Sequence, residues 1–557
     1  MSPTHTVCVA PTMSSGETTD YIFVEIRAEE KEGSISRGSK ISHALRRHHR
    51  ELRRERRKKH LASHEPVRPI TANRDALPLR ERVSSALDLP LEPPPGGVNP
   101  RPQKDREDGR DSGLDILQLV TPTVIALGQG RLDPFNVYPT GNVCLYVHEV
   151  VDHAVNHTWP AVSPFGQLSS NPVRRAWLGC AMANPVAFYA FIFAAGLHHA
   201  YEHGWDKIPT WNYDLLLSYK TKAISLINAA LQKVDVDISD ALLVSILILA
   251  AHGPRVPSPG TVSPPQHPPS PLVGVQNINF YGSMRFDALH MDALRILIAR
   301  RGGLQTLELY SLAETIALGE IFGASEHHFR PRFPESFSCP TSIIPAIPDP
   351  LPADFFTPLQ NGIRFAALLR VLRDMCAICR ALDGLEHAKP GSTLLSDVIR
   401  TRNTVQHRLL SLPHREFILV PDHAIYEACR LAALIFSDMV IFPLPAAKNM
   451  GTRLGGMLRQ TLERLPAPAA APVPHQNTGW ETDHAPVLLW IVMLGAIAGA
   501  NTKSLRDWFC ALLDRYAVLL GVTAWSEVHV MLQKHLWFDP VCDPPARKIW
   551  AEVAGRE

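Results

Sequence analysis

The sequence lacks the short motifs on which much recognisable enzyme chemistry rests. It has no G-x-x-x-x-G-K-[ST] loop to cradle phosphates, no G-x-G-x-x-G after a strand and no G-x-S-x-G elbow. Nucleotide-binding and serine-hydrolase readings are therefore unsupported, and no titratable pair stands out as an acid/base couple. No fixed-period repeat is present, which argues against a solenoid. Strand-like alternation is scarce, and FILV at 417–420 is too short to build a sheet. The nine cysteines are scattered without a repeating spacing, which predicts reduced thiols, not a disulfide framework. The longest uncharged apolar run, APVLLWIVMLGAIAGA at 485–500, falls short of the roughly 18–20 residues that cross a bilayer. It reads as a buried helix, and no membrane partner is expected. The first twenty residues have neither a basic n-region nor an apolar h-region, so no secretory signal is expected.

What is present is helix, proline and one concentrated charge. At 557 residues with 45% hydrophobic content the chain can bury a large core. Residues 184–204 read as one helix, with Asn184 as N-cap, Pro185 at the first position and Gly204 just past the end. Segments 211–234 and 237–253 follow as two more, the second started by Asp237 or Ser239 and stopped by Gly253-Pro254. Further helical segments lie near 286–304, 311–324, 357–384, 423–442, 485–500 and 504–521. The 48 prolines collect between helices, with eight of them in PRVPSPGTVSPPQHPPSP at 254–271, which is expected to be an exposed, extended loop. The fold class is all-α: a large multi-helix regulatory domain with Pro-rich insertions, preceded by a disordered N-terminal region that contains a basic helix. The expected organisation is a disordered segment 1–35, a basic helical arm 36–61, a disordered linker 62–115 and the all-α domain 116–555, with a disordered Pro-rich insertion at 254–273.

Two patterns bear on metal chemistry. His199-Ala200-Tyr201-Glu202-His203 matches H-x-x-E-H, which places two imidazoles one helical turn apart with a carboxylate between them. The same residues occupy a helix end before Gly204, where histidine also interacts well with free carbonyls; that helix-end reading is preferred. Cys376-Ala377-Ile378-Cys379 is a lone C-x-x-C in an apolar helix, which reads as buried structural thiols. Arg300-Arg301 before Gly302-Gly303 reads as a basic helix C-terminus. No cofactor, metal ligand or catalytic residue is assigned, and the chain is read as a non-enzyme.

Charge carries the strongest signal. Net charge is only +2, but residues 40–59 hold ten Lys/Arg against Glu51 and Glu55. This segment is +8, which leaves the remainder at −6. On a helix Arg46, Arg50, Arg53 and Arg57 form one stripe and Arg47, Arg54 and Lys58 a second, with Arg56 and Lys59 completing RRERRKK at 53–59. Such a surface suits nuclear import and non-specific phosphate contact.

Several segments together resemble the fungal-specific transcription factor domain family, in particular members that lack an N-terminal binuclear zinc cluster. GQGRLDPFNVYP at 128–139 is similar to the family's entry motif. His290 with ALRILIARRGGLQTL at 293–307 is similar to its recurring histidine–helix–Arg-Gly-Gly-Leu segment. LWFDPVCDPPARKIWAEV at 536–553 resembles its C-terminal signature, and Tyr21–Val24 with the arginine block resembles its N-terminal arm. The resemblance implies nuclear residence and a role in transcription, with an all-α domain that binds regulatory proteins or a small effector. Many relatives carry six cysteines in a DNA-reading zinc cluster, but here only Cys8 precedes Cys144. An arginine arm without that cluster supplies phosphate affinity without base readout. Two other readings stand beside this one: an all-α metal-dependent enzyme using His199, Glu202 and His203, and a scaffold that never touches DNA.

Overall fold

In the computed structural model, residues 4–9, 22–27 and 138–555 are described, with breaks at 142, 165–170, 234–236, 255–266, 337–355, 357–358, 360–364, 386–393, 415–420 and 466–478. The predicted basic arm, the linker and the 417–420 segment lie outside the described residues. Near the N-terminus, β1 (Thr4–Val9) pairs antiparallel with β2 (Ile22–Arg27), Thr4 opposite Arg27.

From Leu145 onward the described chain is helical, and its helices start and stop where local chemistry requires. Helix α1 (Leu145–His153) runs directly into a π-helical turn at Ala154–Thr158. Asn171 caps α2 (Pro172–Ala183) by accepting from the Val173 amide at 3.1 Å. Pro185 opens α3 (Pro185–His203), and Gly204 ends it at φ +90°, a backbone setting that side chains with a Cβ avoid. Asn184 precedes α3 as predicted, but its side chain donates back to the Cys180 carbonyl instead of capping. Next come α4 (Thr210–Leu231) and α5 (Asp240–Ala251). Ser239, one of the two predicted starts, caps α5 by accepting from Leu242. Gly253 follows α5 because the chain passes Arg285 there: a Cβ would sit 2.1 Å from the Arg285 carbonyl oxygen.

Short α6 (Ile278–Ser283) leads to α7 (Ala288–Arg301), capped by Asp287 through the Leu289 and His290 amides. Then follow α8 (Leu312–His327), α9 (Ala366–Leu385), α10 (Leu394–Ser411), α11 (Pro421–Phe436), α12 (Met450–Leu462), α13 (Gly479–Ala498), α14 (Lys503–Leu520), α15 (Trp525–Gln533) and α16 (Asp539–Ala554). The last part of the Pro-rich segment departs from the expectation of an exposed loop. Leu272 is fully buried, and the Ser270 hydroxyl donates to the Val440 carbonyl at 2.6 Å.

The apolar side chains gather into two cores. One is built on α3, α5 and α7 with Trp159 and Trp177. The other surrounds α11 and α13, where Val487–Leu494 is wholly buried. Among the described residues no single helix is long and apolar enough to cross a membrane; the 485–500 run is the centre of a core. Helix α8 serves both cores, with Leu312 and Ile316 in the first and Leu318, Ile321 and Ala324 in the second. Its two apolar faces follow from the 3.6-residue repeat of a helix that is hydrophobic nearly all round.

Candidate functional site

The junction of the two cores holds an apolar pocket with about 60 Å³ of free interior. Val244, Leu247 and Ile248 of α5 form one wall, and Leu318 and Phe322 of α8 form the other. The apolar lining and small interior suit a small apolar group, not a bulky ligand. Polar groups are few. Lys448 donates to the Met284 carbonyl at 2.9 Å and to Glu326 Oε1 at 2.7 Å, so its charge is already matched. His252, just past α5, has Nδ1 2.8 Å from the Ile248 carbonyl, while its buried Nε2 has no protein partner. Burial pushes its pKa down to about 4, so the ring is neutral near pH 7. With Nδ1 donating, Nε2 is an acceptor packed out of reach of solvent.

A second polar site lies at the end of α3, where the H-x-x-E-H string falls. The structure does not bring its three polar residues together. His199 turns to Glu149 on α1, with Nε2 3.2 Å from Oε1. His203 stacks on His199 with ring centres 4.1 Å apart and bonds the His199 carbonyl through Nδ1 at 3.0 Å. That bond is the helix-end role predicted for it. Glu202 instead faces His153 and His198: His153 Nε2 is 3.6 Å from its Oε2, and His198 Nε2 is 3.8 Å from its Oε1. His153 Nε2 and His198 Nδ1 are 2.8 Å apart and share a hydrogen bond. Burial, reinforced by neighbouring histidines, lowers His153 to about 2. Burial also lowers His198 to about 4, against a side-chain hydrogen bond to Asn277 that acts the other way. Sequence pattern picked His199 and His203 by spacing. It could not find His153, which reaches the cluster from another helix.

The other singled-out residues have structural roles. Cys379 is buried and Cys376 partly so; burial pushes both thiols up, Cys376 to about 12. They are therefore protonated and unreactive. Arg301, read as a simple basic helix end, pairs with Asp240 at the start of α5 and donates to the Ile238 and Thr306 carbonyls at 3.0 and 2.9 Å. Asp240 also accepts from the Glu308 and Leu309 amides. The Arg-Gly-Gly-Leu motif thus fastens α7 to α5 and to the turn that follows. In the C-terminal signature, Trp537 Nε1 donates to Asp543 at 2.8 Å and His529 lies 3.2 Å from the same carboxylate. Residues 46–59, including every predicted nucleic-acid or import residue, are outside the described residues.

A family model described as "Fungal specific transcription factor domain" matches residues 149–534, well over half of the chain. No curated protein and no solved structure matches it.

Proposed function

Because the chain belongs to the fungal specific transcription factor domain family, we propose that it works in the nucleus as a transcription regulator whose activity is set by a small effector. The matched span lies inside the 116–555 domain that the sequence motifs outlined. A transcription-regulator-like role goes with the family. Import, DNA contact and effector binding are the finer parts of the proposal.

The arm is assigned import and backbone contact. Its nine basic residues, Arg46, Arg47, Arg50, Arg53, Arg54, Arg56, Arg57, Lys58 and Lys59, are dense enough to neutralise several phosphates but offer no helix-in-groove or zinc module to read bases. Sequence selection then falls to partner proteins bound by the helical domain. The effector reading rests on the apolar pocket. Its lining favours a small, mostly apolar molecule.

Chromatin occupancy mapping of the full chain tests the central claim. Enrichment at promoters, lost on deletion of residues 40–60, is expected. A uniform profile in the intact protein would replace this reading with that of a scaffold that never touches DNA.

A further inference from the structure

We propose that His153, His198 and Glu202 form a binding site for one divalent transition-metal ion of the zinc class. The three residues offer one ligand atom each within 4.8 Å of one another. His198 and Glu202 stand one turn apart on α3, so they share a face, and His153 enters from the end of α1. Two imidazoles from facing helices plus a carboxylate one turn along is how helical bundles assemble ion sites.

The distances suit an ion that replaces a proton. With zinc–nitrogen and zinc–oxygen bonds near 2.0–2.1 Å, tetrahedral ligands lie roughly 3.3–3.4 Å apart. His153 Nε2 lies 3.6 Å from Glu202 Oε2, near that edge. The 2.8 Å gap between His153 Nε2 and His198 Nδ1 needs to open by roughly 0.5 Å. His153 directly precedes the π-helical turn, a local widening of the helix that recurs at functional sites.

The charge environment is also favourable. The ion pairs of Glu202 and Glu149 among the described residues are all with histidines, so no lysine or arginine pairs with either carboxylate. Both ligand imidazoles are buried, whereas the Glu202 side chain is 41% exposed, which leaves an entry path and room for a water as fourth ligand. Two nitrogens and one oxygen favour zinc and its late first-row neighbours over magnesium or calcium.

The test uses full-length protein stripped with a chelator and titrated with zinc alone, then with cobalt(II) as a visible reporter. One equivalent is expected to bind, with ligand-field absorption for cobalt and a higher melting temperature. Glu202→Gln and His198→Gln should each weaken binding at least tenfold. Glu202 is exposed enough for its variant to keep the fold, which circular dichroism checks. His529→Gln, at the separate His529–Asp539–Asp543 group, should bind like the unaltered chain. No binding in the unaltered protein, binding unchanged in Glu202→Gln, or binding lost in His529→Gln would each overturn the assignment.

Discussion

Arg402 and Gln276, 126 residues apart in the chain, are hydrogen-bonded to each other where neither side chain has appreciable contact with water. The arginine's hydrogen bonds are to uncharged amide oxygens, which solvate its charge without cancelling it. Asn403 Oδ1 accepts from it at 2.8 and 3.1 Å, and the Phe442 ring lies 5.2 Å from the guanidinium carbon. Burial alone lowers its pKa to about 9. Gln276 also donates to the Val162 carbonyl at 2.8 Å, so one amide ties α10 to the short helix Trp159–Val162. Removing the amide strands a buried cation, whereas removing the cation does not. Gln276→Leu should therefore cost about 2–4 kcal/mol, and Arg402→Met clearly less. Urea unfolding of both variants checks the order.

Asp240 and Arg301 make a second long-range clasp, and here the charges are complementary. Asp240→Asn and Arg301→Gln should each lower stability by about 2–4 kcal/mol, because each leaves partly buried groups unpaired. The double variant should cost less than the sum by more than about 1 kcal/mol. A strictly additive pair in denaturant melts would show that the contact contributes nothing of its own.

Acid should weaken the domain through His252. Its pKa is about 4 when folded against the ordinary 6.5, so the unfolded chain binds the extra proton between those values. Stability is then full above about pH 6.5 and declines as pH falls toward 4, by about 3 kcal/mol from this one group. Measured from pH 7.5 to 4, His252→Gln should show a shallower decline than the unaltered chain. Parallel curves would remove His252 as the cause.

The pocket can be filled from its own wall. Ala251 lines it, and Ala251→Phe should occupy the space at a stability cost of about 1–3 kcal/mol. A short alcohol such as butanol should raise the melting temperature of the unaltered protein and leave this variant unmoved. Equal shifts in both would place the alcohol elsewhere.

Binding to DNA through the arm should be steeply salt-dependent and nearly indifferent to sequence. Six phosphate contacts give a slope of about −5 in log K against log salt. Replacing Arg53, Arg54, Arg56 and Arg57 by Gln should flatten that slope by about 3–4 and remove nuclear accumulation of a tagged chain. A strong preference for one DNA sequence would instead require a base-reading surface.

Much of the fold was legible because helix punctuation is local. Asn184-Pro185, Gly204, Ser239 and Gly253 lie where the chain turns, and the apolar run at 485–500 lies at the centre of a core. Helices α1, α2, α6, α10, α12, α15 and α16 were not singled out. Helix α10, for instance, buries the polar residues Thr401, Arg402, Asn403 and Gln406, so it carries no clean apolar stripe. The clasps were equally hidden, since the partner of Arg301 is 61 residues away and no spacing rule connects them. The H-x-x-E-H string shows the limit most clearly. It identified the right turn of the right helix but paired Glu202 with the wrong imidazoles, because one of the true neighbours is supplied by another element.

Helix α8 belongs to both cores, and this limits how relatives of this chain can exchange parts. A chimera joined before α8 gives the first core a foreign Leu312 and Ile316. One joined after it gives the second core a foreign Leu318, Ile321 and Ala324. Either way one hydrophobic surface meets a partner it was not selected against. Recombination between homologues should therefore be tolerated at the outer ends of the domain well before it is tolerated at its middle.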